Sequence, residues 1–113
     1  MKPQFVYVAG PYTGGDVVVN VRNAVLAGQR LTDAGFTPFV PHLYHLWHTI
    51  IPGDYEQWMK LDLAWLSRCD ALIQLEGVSP GAQRERARAF ELNLVVFDGV
   101  DAFLRAYPQA EGG

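Results

Sequence analysis

Four short apolar runs, each followed by a longer segment with apolar residues three or four positions apart, constrain this 113-residue chain more than any other feature. The runs are "FVYVAG" (5–10), "FTPFVP" (36–41), "DALIQL" (70–75) and "NLVVF" (93–97). Such lengths suit strands rather than helices. The first, β-branched and aromatic and ending at Gly-Pro, has the composition of a strand buried on both faces. After the loop "PYTGGD", residues 16–34 place Val17, Val21, Ala24, Val25, Gly28 and Leu31 on one helical stripe, and "DAG" closes the segment. Residues 55–68, 79–92 and 100–107 read as further helices. Residues 42–54, "HLYHLWHTIIPGD", form an irregular aromatic and histidine-rich loop with room for a helical turn.

Strands alternating with helices call for a parallel sheet with right-handed crossovers and helices on both faces. The expected fold class is α/β: a doubly wound, Rossmann- or flavodoxin-like parallel sheet of four to five strands, ordered 2-1-3-4 with any fifth strand beyond the fourth. Half of the residues are hydrophobic and only 19% are charged, enough apolar content for a core. One domain over residues 1–107 is expected, with a loose tail "PQAEGG" at 108–113. A net charge of −3 offers no general basic patch, which argues against nucleic acid as a partner. Cys69, the single cysteine, excludes an intrachain disulfide framework. The start "MKPQFVYVAG" is too short in apolar length for a secretory signal, and no run approaches a membrane span. A cytoplasmic protein with no membrane partner is expected.

In such folds ligands lie beyond the carboxyl ends of the strands. Here that end collects three loops, residues 10–16, 41–54 and 76–82, and they hold much of the glycine and polar content. Behind the third loop, Ala82, Glu85, Ala89 and Leu92 follow one stripe, so a carboxylate stands where small apolar residues point. Glu85 could equally pair with Arg88 on a solvated face. The segment "YEQWMKLDLAWL" repeats the anomaly, with Asp62 between Tyr55, Trp58, Trp65 and Leu66. Asp62 could accept hydrogen bonds from a loop, or pair with Lys60 or Arg68. Two inward acids near one end of one sheet favour chemistry, because apolar surroundings raise a carboxyl pKa, and paired carboxylates cleave glycosidic bonds.

The remaining signals are weaker. His42, His45 and His48 do not share one helical face and lack a nearby Cys or carboxylate, so no metal site is expected. His42, directly after strand two, is placed to touch a ligand, whereas His45 and His48 read as loop packing. "GPYTGG" lacks the Walker Lys-Ser/Thr pair and the GxGxxG spacing, and its bland reading is a tight turn. Ser79 can cap the following helix, Pro80 suits its first position, and Gly81 and Ala82 leave room for an anion at the helix start.

"VYVAGPYTGG", "PHLY", "DLAWLSRCDALI" and "SPGAQRE" together resemble the nucleoside 2-deoxyribosyltransferase-like family, which includes deoxynucleoside 5′-monophosphate N-glycosidases; the likeness covers residues 4–97. The resemblance implies that Glu85 is the nucleophile attacking C1′ of the sugar, that Asp62 protonates the base, and that Tyr7 hydrogen-bonds near the nucleophile. It further implies substrate contacts from Gly10, Tyr12, Thr13, His42, Ser79, Gly81 and Ala82, with Ser79 pointing to a 5′-phosphate and no cofactor required. Pro11 and Thr13 stand where the family's hydrolases carry Ser and Arg. The expected function is cleavage of the N-glycosidic bond of a (deoxy)nucleoside 5′-monophosphate, or transfer of its deoxyribosyl group. A non-catalytic nucleotide-binding module and a hydrolase of another N-glycoside, such as NAD, remain alternatives. A homodimer or higher homo-oligomer is expected, with Trp47, Ile50 and Ile51 near the seam.

Overall fold

The structure, a computed structural model, describes residues 2–108. Its elements are β1 (Phe5–Ala9), α1 (Val17–Asp33), β2 (Thr37–Phe39), a 3₁₀ turn (Pro41–Leu43), α2 (Tyr44–Ile50), α3 (Tyr55–Leu66), β3 (Ala71–Gln74), α4 (Pro80–Glu91), β4 (Val95–Asp98) and α5 (Val100–Ala106). The four strands are all parallel and ordered β2-β1-β3-β4, as the alternation of elements requires. No fifth strand joins them among the described residues. Of the tail expected at 108–113, residues 109–113 lie outside the described residues.

Because side chains alternate along a strand, β1 sends Val6 and Val8 to one face of the sheet and Tyr7 and Ala9 to the other. The even face packs with Ala71 and Ile73 against Ala24, Ala27 and Leu31 of α1 and Val100 and Phe103 of α5. Leu31 and Phe103 are fully buried, each contributing roughly 1.5–3 kcal/mol of apolar burial. The odd face packs with Leu72 against Leu66 of α3 and Ala82 and Ala89 of α4. Tyr7 therefore points its hydroxyl at the layer formed by α3 and α4.

Three of the helices begin on side-chain caps. Asp16 accepts from the Val18 and Val19 amides, Asp54 from Gln57 and Ser79 from Ala82. In α1 the stripe differs from the expected one: Ala24, Ala27, Gly28 and Leu31 are buried, whereas Val25 is exposed. Val25 follows Ala24 by one residue, about 100° round the helix, and so leaves the sheet-facing side. The strand expected over 93–97 starts instead at Val95, because Asn93 adopts a left-handed conformation (φ 60°) that ends α4. The loop at 42–54 is more ordered than one helical turn, since the 3₁₀ turn runs directly into α2. None of the residues of α2 is buried.

Candidate active site

A cavity of about 460 Å³ opens beyond the carboxyl ends of β1 and β3. The β1–α1 loop, the 3₁₀ turn with α2, α3 and the start of α4 form its walls. Gly10 is required where the strands end: a Cβ there would lie 2.9 Å from the Leu75 Cβ. Gly77, at φ +123°, likewise lets the turn before α4 cross the β1–α1 loop, its Cβ position lying 2.7 Å from the Pro11 ring.

Glu85 and Asp62 both line this cavity. Glu85 is only 5% exposed, although it sits on a helix whose neighbouring positions carry three arginines. Those arginines point elsewhere: Arg84 pairs with Glu56 (2.7 Å), Arg86 with Asp98 (2.6 Å) and Arg88 with Glu91 (3.3 Å). The surface pair between Glu85 and Arg88 is thus excluded. In its place the fully buried Tyr7 donates its hydroxyl to Glu85 Oε2 at 2.6 Å. Tyr7 is not in the cavity wall but behind Glu85, and its hydroxyl reaches the cavity side through that carboxylate. Burial, then the Glu85 charge, holds its phenol well above the ordinary tyrosine value.

Asp62 is half-buried, between Met59 and Leu66 on the inner stripe of α3. Trp65 is 48% exposed and stacks on Phe39 at 5.1 Å, while Trp58 lines the cavity. No ion pair joins Asp62 to Lys60 or Arg68 among the described residues, and its Oδ1 is buried without a hydrogen-bond donor. The Asp62 and Glu85 carboxyls are close enough to hydrogen-bond when one is protonated. Burial pushes Asp62 up to about 6 and Glu85 up to about 8; the Tyr7 hydrogen bond pulls Glu85 back down, and the Asp62 charge pushes it up. The pair therefore titrates as a unit and holds one proton near neutrality.

All seven expected substrate contacts, Gly10, Tyr12, Thr13, His42, Ser79, Gly81 and Ala82, lie in the cavity wall. Their atoms are not equally free. His42 is buried and donates from Nε2 to the Pro11 carbonyl at 2.9 Å, clasping two loops together; burial lowers its pKa, so the ring is neutral. At the start of α4, Ser79 Oγ accepts the Ala82 N–H (3.1 Å) and Ser79 O the Gln83 N–H (3.0 Å), while Pro80 has none to give. The Gly81 N–H and the Ser79 hydroxyl proton remain for a ligand there. No Lys or Arg lines the cavity.

Sequence reasoning placed His45 and His48 in loop packing, yet both line the cavity, with Tyr44, Trp58 and Met59. His45 Nδ1 meets the Tyr12 hydroxyl at 2.6 Å, and His48 Nδ1 accepts from the Gly53 amide (3.2 Å) and the Trp58 indole (2.9 Å). The three histidines thus engage different partners, and no group of three or more His, Cys, Asp or Glu among the described residues could hold a metal ion.

A family model, described as a domain of unknown function, DUF7768, matches residues 4–98 and so spans β1 to the end of β4. The chain belongs to the DUF7768 family. No curated protein sequence matches this DUF7768 member. Its structure is similar to that of a 2-deoxyribosyltransferase from the psychrotolerant bacterium Bacillus psychrosaccharolyticus, with a TM-score of 0.61 and 22% identity over 81% of this chain and 69% of that one. At that identity the DUF7768 chain shares the fold of the transferase: a doubly wound parallel sheet with helices on both sides. Among the described residues, no helix is long and apolar enough to cross a membrane.

Proposed function

We propose that this DUF7768 protein cleaves the N-glycosidic bond of a (deoxy)nucleoside, or transfers its deoxyribosyl group, by a two-carboxylate route. The observation that carries the reading is the buried pair Asp62 and Glu85 facing one cavity, with Tyr7 bonded to Glu85 at 2.6 Å. Tyr7 occupies Oε2, which leaves Oε1 of Glu85 as the attacking atom. As Oε1 bonds to C1′, the C1′–N bond breaks and its electron pair passes to the base, which takes the proton of Asp62. The Asp62 carboxylate then removes a proton from water, whose oxygen attacks C1′ and releases Glu85; a second base in place of water completes a transfer. The pair shares one proton, and the reaction moves it to Asp62. The Tyr7 hydrogen bond, which favours the charged form of Glu85, supports that move.

The 5′-monophosphate expectation rests on Ser79 and the helix start. A wall without Lys or Arg supports the uncharged nucleoside instead, because a dianion brought beside two carboxyl groups needs cationic partners. The aromatic wall of Tyr12, Tyr44 and Trp58 suits a planar base.

Glu85→Ala is expected to lower base release from a deoxynucleoside by on the order of 10³-fold or more while the ligand still binds. Chromatography of released base and calorimetry of binding check the two halves, and unaltered turnover would remove the mechanism. Activity of the wild type is expected to peak between about 6 and 8, falling on the acid side as the pair gains a second proton and on the basic side as it loses its only one. Tighter binding of the 5′-monophosphate than of its nucleoside would restore the phosphate reading.

A further inference from the structure

Trp58 is the hub on which α2 rests. The rings of Tyr44, Trp47 and His48 pack around its indole at centroid distances of 5.8, 5.4 and 5.6 Å. Beyond these ring contacts, the side chains of α2 make three hydrogen bonds to other segments, His45 with the Tyr12 hydroxyl and His48 with the Gly53 amide and the Trp58 indole, and the Tyr44 hydroxyl meets Trp65. At that site two N–H donors, one from the Gly53 backbone and one from the Trp58 indole, converge on the single lone pair of Nδ1. Gly53 makes the convergence possible, since a Cβ there would lie 3.0 Å from the indole nitrogen. An imidazole accepting at Nδ1 is neutral and carries its proton on Nε2.

We infer that His48 is a positioning residue that fixes the Trp58 ring and α2 as the cavity wall, and that protonation at its Nδ1 releases both. The inference rests on the nucleoside reading only for its effect on catalysis. Once Nδ1 carries a proton, three N–H groups face one another with no acceptor, both hydrogen bonds are lost, and α2, which buries nothing of its own, keeps its ring contacts, the Tyr12–His45 bond and the Tyr44 contact with Trp65. Acid strong enough to add this proton therefore loosens the wall. The other titratable groups around it are His45 and Tyr44 on α2, Tyr55 and Asp62 on α3, His42 and Tyr12 across the cavity, and Glu85 on its floor; Asp54, which caps α3, adjoins Gly53.

The test is the indole N–H resonance of Trp58, assigned by its loss in Trp58→Phe, followed from pH 8 to pH 5 in the wild type and in His48→Asn. Asn places an oxygen near the Nδ1 position and cannot gain a proton in this range. The expected result is a hydrogen-bonded, exchange-protected indole at pH 8 that becomes unprotected on acidification in the wild type, with no such transition in the variant. Absence of the transition in the wild type, or the same transition in His48→Asn, overturns the inference; in the second case one of the other groups carries it. In the proposed reaction the released wall raises KM for a deoxynucleoside at low pH, while kcat follows the carboxyl pair, and His48→Asn removes only the KM component. A protein that shows the spectral transition but cleaves no nucleoside would refute the proposed function and leave this inference standing.

Discussion

Glu85 is a group the fold would be more stable without. In the unfolded chain it ionises near the ordinary glutamate value of 4.5, whereas burial in the cavity floor holds the proton up to about 8. Between those limits the folded state keeps a proton that the unfolded state has released, so stability falls as pH rises through the window; below both values the two states bind protons alike. Each unit of displacement is worth roughly 1.4 kcal/mol, and sharing the proton with Asp62 reduces the net effect. Glu85→Gln keeps the shape, removes the ionisation and is expected to stabilise the protein by on the order of 2 kcal/mol at pH 8, with little gain at pH 4. Urea melts at the two pH values check this. An equal difference at both would mean that the carboxyl is not held protonated by the fold.

At the scale of elements, α4 joins stability to the site through its first turn. Ser79→Ala removes the acceptor of the Ala82 N–H and is expected to cost about 1 kcal/mol. It also frees the Ala82 N–H at the cavity, so affinity for inorganic phosphate should rise if that helix start can hold an anion. Urea unfolding and phosphate titration read the two effects separately. Which elements were legible in the sequence follows from burial. β1 and β3 could be read because both faces are covered, and Glu85 stood out because it breaks a stripe of small residues that the sheet buries. α2 carries a helical stripe, Leu43, Leu46, Trp47 and Ile50 at i, i+3, i+4 and i+7, but those residues are exposed and pack on neither core, and the histidines and aromatics between them mask the period. The start of β4 was placed two residues early because only the backbone angle of Asn93 separates helix from strand there. His45, His48 and Tyr44 reach the cavity through the path of the 3₁₀ turn and α2, which residue spacing does not encode.

For the molecule as a whole, the apolar surface beside the cavity is the largest open question that the fold poses. Leu43, Leu46, Trp47, Ile50 and Ile51 are between 47 and 70% exposed along one continuous segment. An uncovered patch of this kind disfavours a lone monomer in water. We propose a homodimer or higher homo-oligomer with Trp47, Ile50 and Ile51 near the seam. Sedimentation at micromolar concentration should show the assembly and Ile50→Glu should dissociate it, whereas a wild-type monomer would refute the proposal. The cavity-facing side of the same segment has a different future. Because α2 contributes nothing to either core, substitutions at Tyr44, His45 or His48 alter what the cavity admits without deciding whether the chain folds. Ligand preference can therefore be altered through a seven-residue helix, while the carboxyl floor, built from the interior, stays in place.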